Sequence, residues 1–322
     1  MLIFGMTPYW SVCDGGKPPP YIENGDAFMD FVLENDCLKV IVTTRGAQVK
    51  SVVQKSDGVE HIWCGDPEVW GLHAPILFPF AGRLKDMAME VKGKRIENCP
   101  AHGFDRNIEH RPVSAGDHFV IMELTENKET LALWPYRFRL TSTFTLDGDT
   151  LHHTLTVENP GDEDISFGIG FHPAFAIPFD DSHQATDYVL RFENTESPLC
   201  LDISNGGLIG DKFYYLEKNI QEVPVNEKLF ASGGHFMTGL TSRTMGLYEK
   251  DTGRGVVVSI GKFPYVVLWS KEGMTPRFVC LEPWNSTPSP FYGTSKWEEK
   301  PAAAVLNPGQ DWSTTLSTSF VR

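Results

Sequence analysis

FRLTSTFTLDGDTLHHTLTVEN, residues 138–159, alternates apolar and polar side chains on either side of an Asp-Gly-Asp turn. Phe138, Leu140, Phe144 and Leu146 fall on one face of a first extended segment; Leu151, His153, Leu155 and Val157 fall on one face of a second. Successive strand side chains point to opposite faces, so a period of two gives each segment one apolar side to bury. Asp147, Gly148 and Asp149 are residue types that accept tight hairpin geometry. The stretch reads as a β-hairpin. Asn159-Pro160-Gly161 closes it, and ISFGIGF (165–171) opens the next extended run.

Similar short runs recur outward from this hairpin, at DFVLEND (30–36), KVIVTTRG (39–46), VVVSIG (256–261) and YVVLWS (265–270). Helical periodicity is scarce, and its best candidate, Asp66 to Trp70, is barely one turn. Strands punctuated by Gly, Pro, Asn and Asp predict an all-β protein, a large antiparallel β-sandwich with few short helices. No repeat or internal linker divides the chain after residue ~28, so 28–322 is expected to be a single domain. The first 27 residues contain Lys17-Pro18-Pro19-Pro20 and read as an extended N-terminal extension.

The chain has 42 acidic against 28 basic residues, a formal charge of −14. Such a field repels phosphate backbones and anionic bilayers, so neither nucleic acid nor membrane is an expected partner. No apolar stretch approaches the ~20 residues of a membrane span, and MLIFGMTPYWSVCDGG lacks a basic start and a continuous apolar core. The six cysteines lie more than four residues apart, which argues against a zinc ribbon or redox pair. They are expected to be reduced and mostly buried in a cytoplasmic protein, either monomer or homodimer.

Four segments set proton-active residues beside Gly, Pro and aromatics: PILFPFAGRLKD (75–86), AHGFDR (101–106), FGIGFHPAF (167–175) and CLEPW (280–284). Taken singly, each has a plain reading. A histidine beside Gly or Pro is a turn residue, a lone Glu is solvated, a lone Arg pairs with a surface acid, and Phe78, Phe104 and Phe171 are core.

In order and together, with GDPEVW (65–70) ahead of them, the segments resemble the aldose 1-epimerases of the galactose mutarotase-like superfamily, in particular the LacX-type branch. The resemblance covers residues 28 to 322. It implies a supersandwich fold and interconversion of the α and β anomers of a free aldohexose, without cofactor or metal. Ring opening needs a base at the anomeric hydroxyl and an acid at the ring oxygen, each worth roughly 10²–10⁴-fold. By resemblance Glu282 is the base and His172 the acid, on opposite sides of the ring. His102 then hydrogen-bonds the ring oxygen or a neighbouring hydroxyl, and Arg83 orients hydroxyls with its planar fork. Trp284 and Phe175 are candidates for an apolar face under the sugar. Two positions depart from the family pattern. Where an aspartate usually follows a Leu-Phe pair, this chain reads LFASGGHF, with Gly233 at that place and His235 as a substitute; the usual tyrosine before Pro-Phe is Trp134, a packing change.

Three alternatives carry distinct requirements. A hexose-6-phosphate epimerase needs a cation cluster, for which Arg83, Lys85 and Arg106 are the nearby candidates. A sugar sensor on the same sandwich needs no matched acid and base. A glycoside hydrolase needs two carboxylates, and Asp105 would have to join Glu282.

Overall fold

The computed structural model describes residues 21–23, 28–300 and 303–322. The hairpin forms as read. Strands Arg139–Asp147 and Thr150–Glu158 pair antiparallel from Asp147↔Thr150 to Arg139↔Glu158. Phe138, Leu140, Phe144, Leu155 and Val157 are fully buried, so the period-two pattern sets which face turns inward.

This hairpin is the middle of a nine-stranded antiparallel sheet. On one side it is followed by Phe119–Thr125 and Arg111–Gly116; on the other come Asp311–Val321, Gly255–Ser259, Thr244–Glu249, Tyr188–Glu196 and Ile220–Pro224. A second, eight-stranded sheet runs Phe213–Tyr215, Leu199–Leu201, Gly234–Thr238, Tyr265–Trp269, Phe278–Trp284, Gly170–Phe171, Ile76–Leu77, with Ala174–Ala176 also paired to Phe278–Trp284. Leu140, Phe144, Leu155, Leu247 and Val256 from the first sheet join Val266, Leu268, Val279 and Leu281 from the second in one core. The two sheets therefore pack face to face, as a sandwich. A four-stranded sheet of Tyr21–Glu23, Met29–Glu34, Leu38–Thr43 and Gln48–Gln54 contributes Phe31, Leu33, Val40 and Val52 to the same core.

Much of the N-terminal extension lies outside the described residues; Tyr21–Glu23 pairs antiparallel with the strand Met29–Glu34. Asp66–Trp70 is a single turn closed by the Val69 and Trp70 amides on the Asp66 carbonyl. The one α-helix among the described residues is Lys128–Leu133, where Asn127 accepts from the Glu129 and Thr130 amides and caps six residues too short to show a period. Cys99, Cys200 and Cys280 are buried free thiols as expected, whereas Cys64 is exposed. Among the described residues no helix is long and apolar enough to cross a membrane.

Candidate active site

The strand Phe278–Trp284 organises the site. All seven of its residues are buried, yet they divide by parity. Val279 and Leu281 enter the central core, while Phe278, Cys280 and Trp284 pack in two separate apolar clusters on the other face. Glu282 shares that outer parity, and there its carboxylate is 1% exposed with neither oxygen hydrogen-bonded.

His172 arrives by register. Gly170 pairs with Trp284 and Ala174 with Cys280, so His172 between them lies opposite Glu282. Phe171 turns into the core and His172 turns out. A side chain at Gly170 would place its Cβ 2.7 Å from Cδ1 of Trp284, so the second glycine of FGIGF is what leaves room for the indole here.

His102 comes from a left-handed turn docked against Phe78, next to the strand Ile76–Leu77, with φ of 67° at His102 and 74° at Gly103. At Gly103 a Cβ would sit 2.1 Å from the Phe78 carbonyl oxygen, so only glycine lets this loop dock on PILFPF. The Gly82 amide donates to His102 Nδ1 at 3.1 Å while the His102 amide donates to the Gly82 carbonyl. With Nδ1 an acceptor, the neutral ring carries its proton on Nε2.

These turns bring Glu282, His172, His102 and Trp284 together on one face. His172 Nε2 lies 3.3 Å from Glu282 Oε2, the His102 and His172 rings are 5.6 Å apart edge to face, and Trp284 stands edge-on to His102 at 5.4 Å. The expectation that Glu282 and His172 flank the sugar ring from opposite sides is corrected: a 3.3 Å gap cannot hold a ring. The two groups stand side by side. Arg83 is exposed at the rim, alongside Gly207, near enough for its charge to bear on His102.

Burial dominates the electrostatics. It pushes the Glu282 carboxyl well above the ordinary glutamate value, while the Trp284 indole N–H, close by but not aligned into a hydrogen bond, acts in the opposite direction. Burial also lowers His172 to about 3 and takes His102 well below its ordinary value, with the neighbouring His172 adding to the effect on His102. Burial thus disfavours charge on both members of the pair. Arg106 and Arg83 further oppose protonation of His102, and Arg106 that of His172.

Two tryptophans missed in the sequence, and Arg106, weighed there only as a phosphate cation, complete the surroundings. Trp70 stacks on His172 at 4.9 Å and Trp269 meets it edge-on at 5.6 Å. The Trp63 indole N–H, donating to the Trp70 carbonyl at 2.8 Å, fixes the turn that carries Trp70. Arg106 is half-buried and has no hydrogen-bonding or acidic partner among the described residues. Its only sequence signal was its place in AHGFDR.

Other candidates move away. Phe175 packs in the central core. His235 pairs with Leu268, on the face opposite Glu282, and its ring is held by Tyr214 Oη at 2.9 Å and the Leu229 carbonyl at 2.6 Å, so it cannot replace the missing aspartate. Asp105 is fully buried and bonded to His110 Nε2 at 2.8 Å, which removes it as a second carboxylate for glycoside hydrolysis. Lys85 donates to the Gly293 carbonyl.

The fold is that of galactose mutarotase-like proteins. The aldose 1-epimerase family model matches residues 29–319, and the chain belongs to that family. It is 31% identical to the plasmid protein LacX of Lactococcus lactis over 288 residues, 87% of this chain and 95% of that one. Among solved structures, a galactose mutarotase related enzyme from Lactobacillus acidophilus superposes with a TM-score of 0.87 at 26% identity, covering 91% of this chain and 98% of that one. A galactose mutarotase-like protein from Lactobacillus casei gives 0.83 at 26% identity, over 90% and 99%.

Proposed function

We propose that the chain is an aldose 1-epimerase acting on free aldohexoses, with Glu282 and His172 as the proton-transfer pair. One observation carries this reading: an unpaired, buried carboxylate 3.3 Å from an imidazole. The anomeric hydroxyl and the ring oxygen are bonded to the same carbon, so adjacent groups reach both. Sugar hydroxyls donating to Glu282 favour its ionised form, and the proton it gives up passes to His172 Nε2, 3.3 Å away, which makes the imidazole the acid. Glu282 then takes the anomeric proton while His172 delivers one to the ring oxygen, the C1–O5 bond breaks, and rotation of the aldehyde precedes the reverse transfer. His102 donates from Nε2 to a sugar oxygen. Trp70, Trp269 and Trp284 supply apolar faces, and Arg83 and Arg106 supply planar donors.

A hexose-6-phosphate substrate is favoured by one observation, that both arginines lack an acidic partner among the described residues. Lys85, turned to Gly293, weakens it. Polarimetry on freshly dissolved α-glucose, α-galactose and their 6-phosphates separates the two. Faster mutarotation of the neutral sugars is expected. Higher efficiency on the phosphates transfers the assignment to the phosphosugar reading, and binding of sugar without any acceleration makes the protein a sensor.

A further inference from the structure

Cys280 has no part in the proton transfer, yet it stands on the same strand face as Glu282, two residues away. Cys280 Sγ, a Glu282 oxygen and a His172 ring nitrogen all lie within 4.8 Å of one another, and all three residues are buried. Thiolate, imidazole and carboxylate are the donor set of zinc sites. Zinc–nitrogen and zinc–oxygen bonds of ~2.0–2.2 Å around a tetrahedral ion set those two atoms about 3.4 Å apart. His172 Nε2 and Glu282 Oε2 already stand 3.3 Å apart. Both Glu282 oxygens are buried without a hydrogen bond, an arrangement that leaves them in want of a partner.

The only other cluster of this kind among the described residues shows what a filled arrangement looks like. Asp180, His183 and Glu249 also converge, but Arg254 forms ion pairs with Asp180 and with Glu249, and Tyr188 and Thr252 donate to Glu249. Those carboxylates are neutralised by the protein itself. Among the described residues no cation reaches Glu282 within ion-pairing distance, apart from the imidazole facing it.

We propose that His172, Cys280 and Glu282 form a binding site for a thiophilic divalent cation of the zinc or cadmium class, and that its occupation blocks sugar turnover. The cation takes Nε2, Sγ and a carboxylate oxygen as ligands and keeps a fourth position for water; the thiol proton leaves to solvent, so binding tightens as pH rises. Hard cations such as Mg²⁺ and Ca²⁺ prefer all-oxygen shells and do not compete. The inhibitory half of the proposal rests on the function proposed above; the binding half does not.

The test titrates the full chain with cadmium chloride, following thiolate-to-cadmium charge-transfer absorption, and reads mutarotation in parallel. One Cys280-dependent cadmium per chain is expected, displaced by zinc but not by magnesium. The band persists in Cys64→Ser, which removes the exposed thiol, and disappears in Cys280→Ala. Mutarotation falls as the band grows and returns with EDTA, and Cys280→Ala turns over sugar but resists cadmium by about 100-fold or more. Should that variant not fold, His172→Asn must weaken cadmium binding by about 10-fold or more in the same absorption titration. A band independent of both residues overturns the site. A Cys280-dependent band in an enzyme that keeps full activity overturns the inhibition. If the wild type never accelerates mutarotation, the proposed function falls, while the absorption titration still decides the metal site.

Discussion

Glu282→Gln is the substitution on which the catalytic reading turns. The amide matches the carboxyl in volume, so a side chain 1% exposed can be exchanged without opening a cavity. What it loses is the capacity to accept a proton. General base catalysis is worth roughly 10²–10⁴-fold, so kcat should fall by about 10² or more, some 2.7 kcal/mol of transition-state stabilisation. Sugar affinity, set mainly by the arginines, His102 and the tryptophans, should stay within roughly tenfold. His172→Asn should cause a comparable loss, and the double variant little more than either single one, because the two groups act in one concerted exchange.

The same exchange has a stability signature. Burial raises the folded-state pKa of Glu282 above its unfolded value. A group raised in this way contributes stability below its unfolded value, and that contribution is lost as pH rises through the folded value. Glutamine does not titrate. The melting temperature of Glu282→Gln should therefore gain on wild type as pH rises from the ordinary carboxylate range, about 4.3, through the raised value. Polarimetry and thermal melts at several pH values between 4 and 8 read both effects. Wild-type mutarotation rates in the variant would mean that the base lies elsewhere. A variant that instead loses ground as pH rises would refute the assignment of a buried, charge-averse carboxyl.

Trp284→Phe removes the indole N–H that draws the Glu282 pKa down, so the acid limb of kcat/KM should move to higher pH, as a pH–rate profile will show. Arg83→Lys and Arg106→Lys should each raise KM about tenfold with a smaller effect on kcat, since an ammonium cannot reproduce the planar fork; steady-state polarimetry distinguishes this from loss of the base. Asp105→Asn weakens a buried bond to His110 and should lower stability by about 1–3 kcal/mol in denaturant titration while leaving kcat largely intact, whereas a large kcat loss would return Asp105 to the chemistry.

The sandwich was legible because its strands carry a wet and a dry face. Residues 138–159 write that difference into every second position, and the pairing follows it. CLEPW shows where such reading stops. The strand Phe278–Trp284 is buried on both faces, so hydropathy alone cannot distinguish the side that packs the core from the side that holds Glu282. Only the neighbouring registers, Ala174↔Cys280 and Gly170↔Trp284, fix it, and those pairings join residues more than 100 positions apart. Resemblance supplied Glu282 and His172 but set them on opposite sides of a ring, since a motif has no geometry. Trp70 and Trp269 were hidden, and Arg106 was read only as a phosphate cation, for a different reason. A tryptophan in a turn or strand and an arginine beside an aspartate have ordinary structural readings, which fail only once His172 is seen against the two indoles and the guanidinium is seen to lack an acid. The converse holds for His235 and Asp105, whose residue types promised chemistry. Tyr214 and the Leu229 carbonyl hold one, and His110 holds the other. A polar group already given its partners by the fold has little left to offer a substrate, whereas His172 Nδ1, both Glu282 oxygens and Trp284 Nε1 are buried without one beside each other on the outer face of the second sheet.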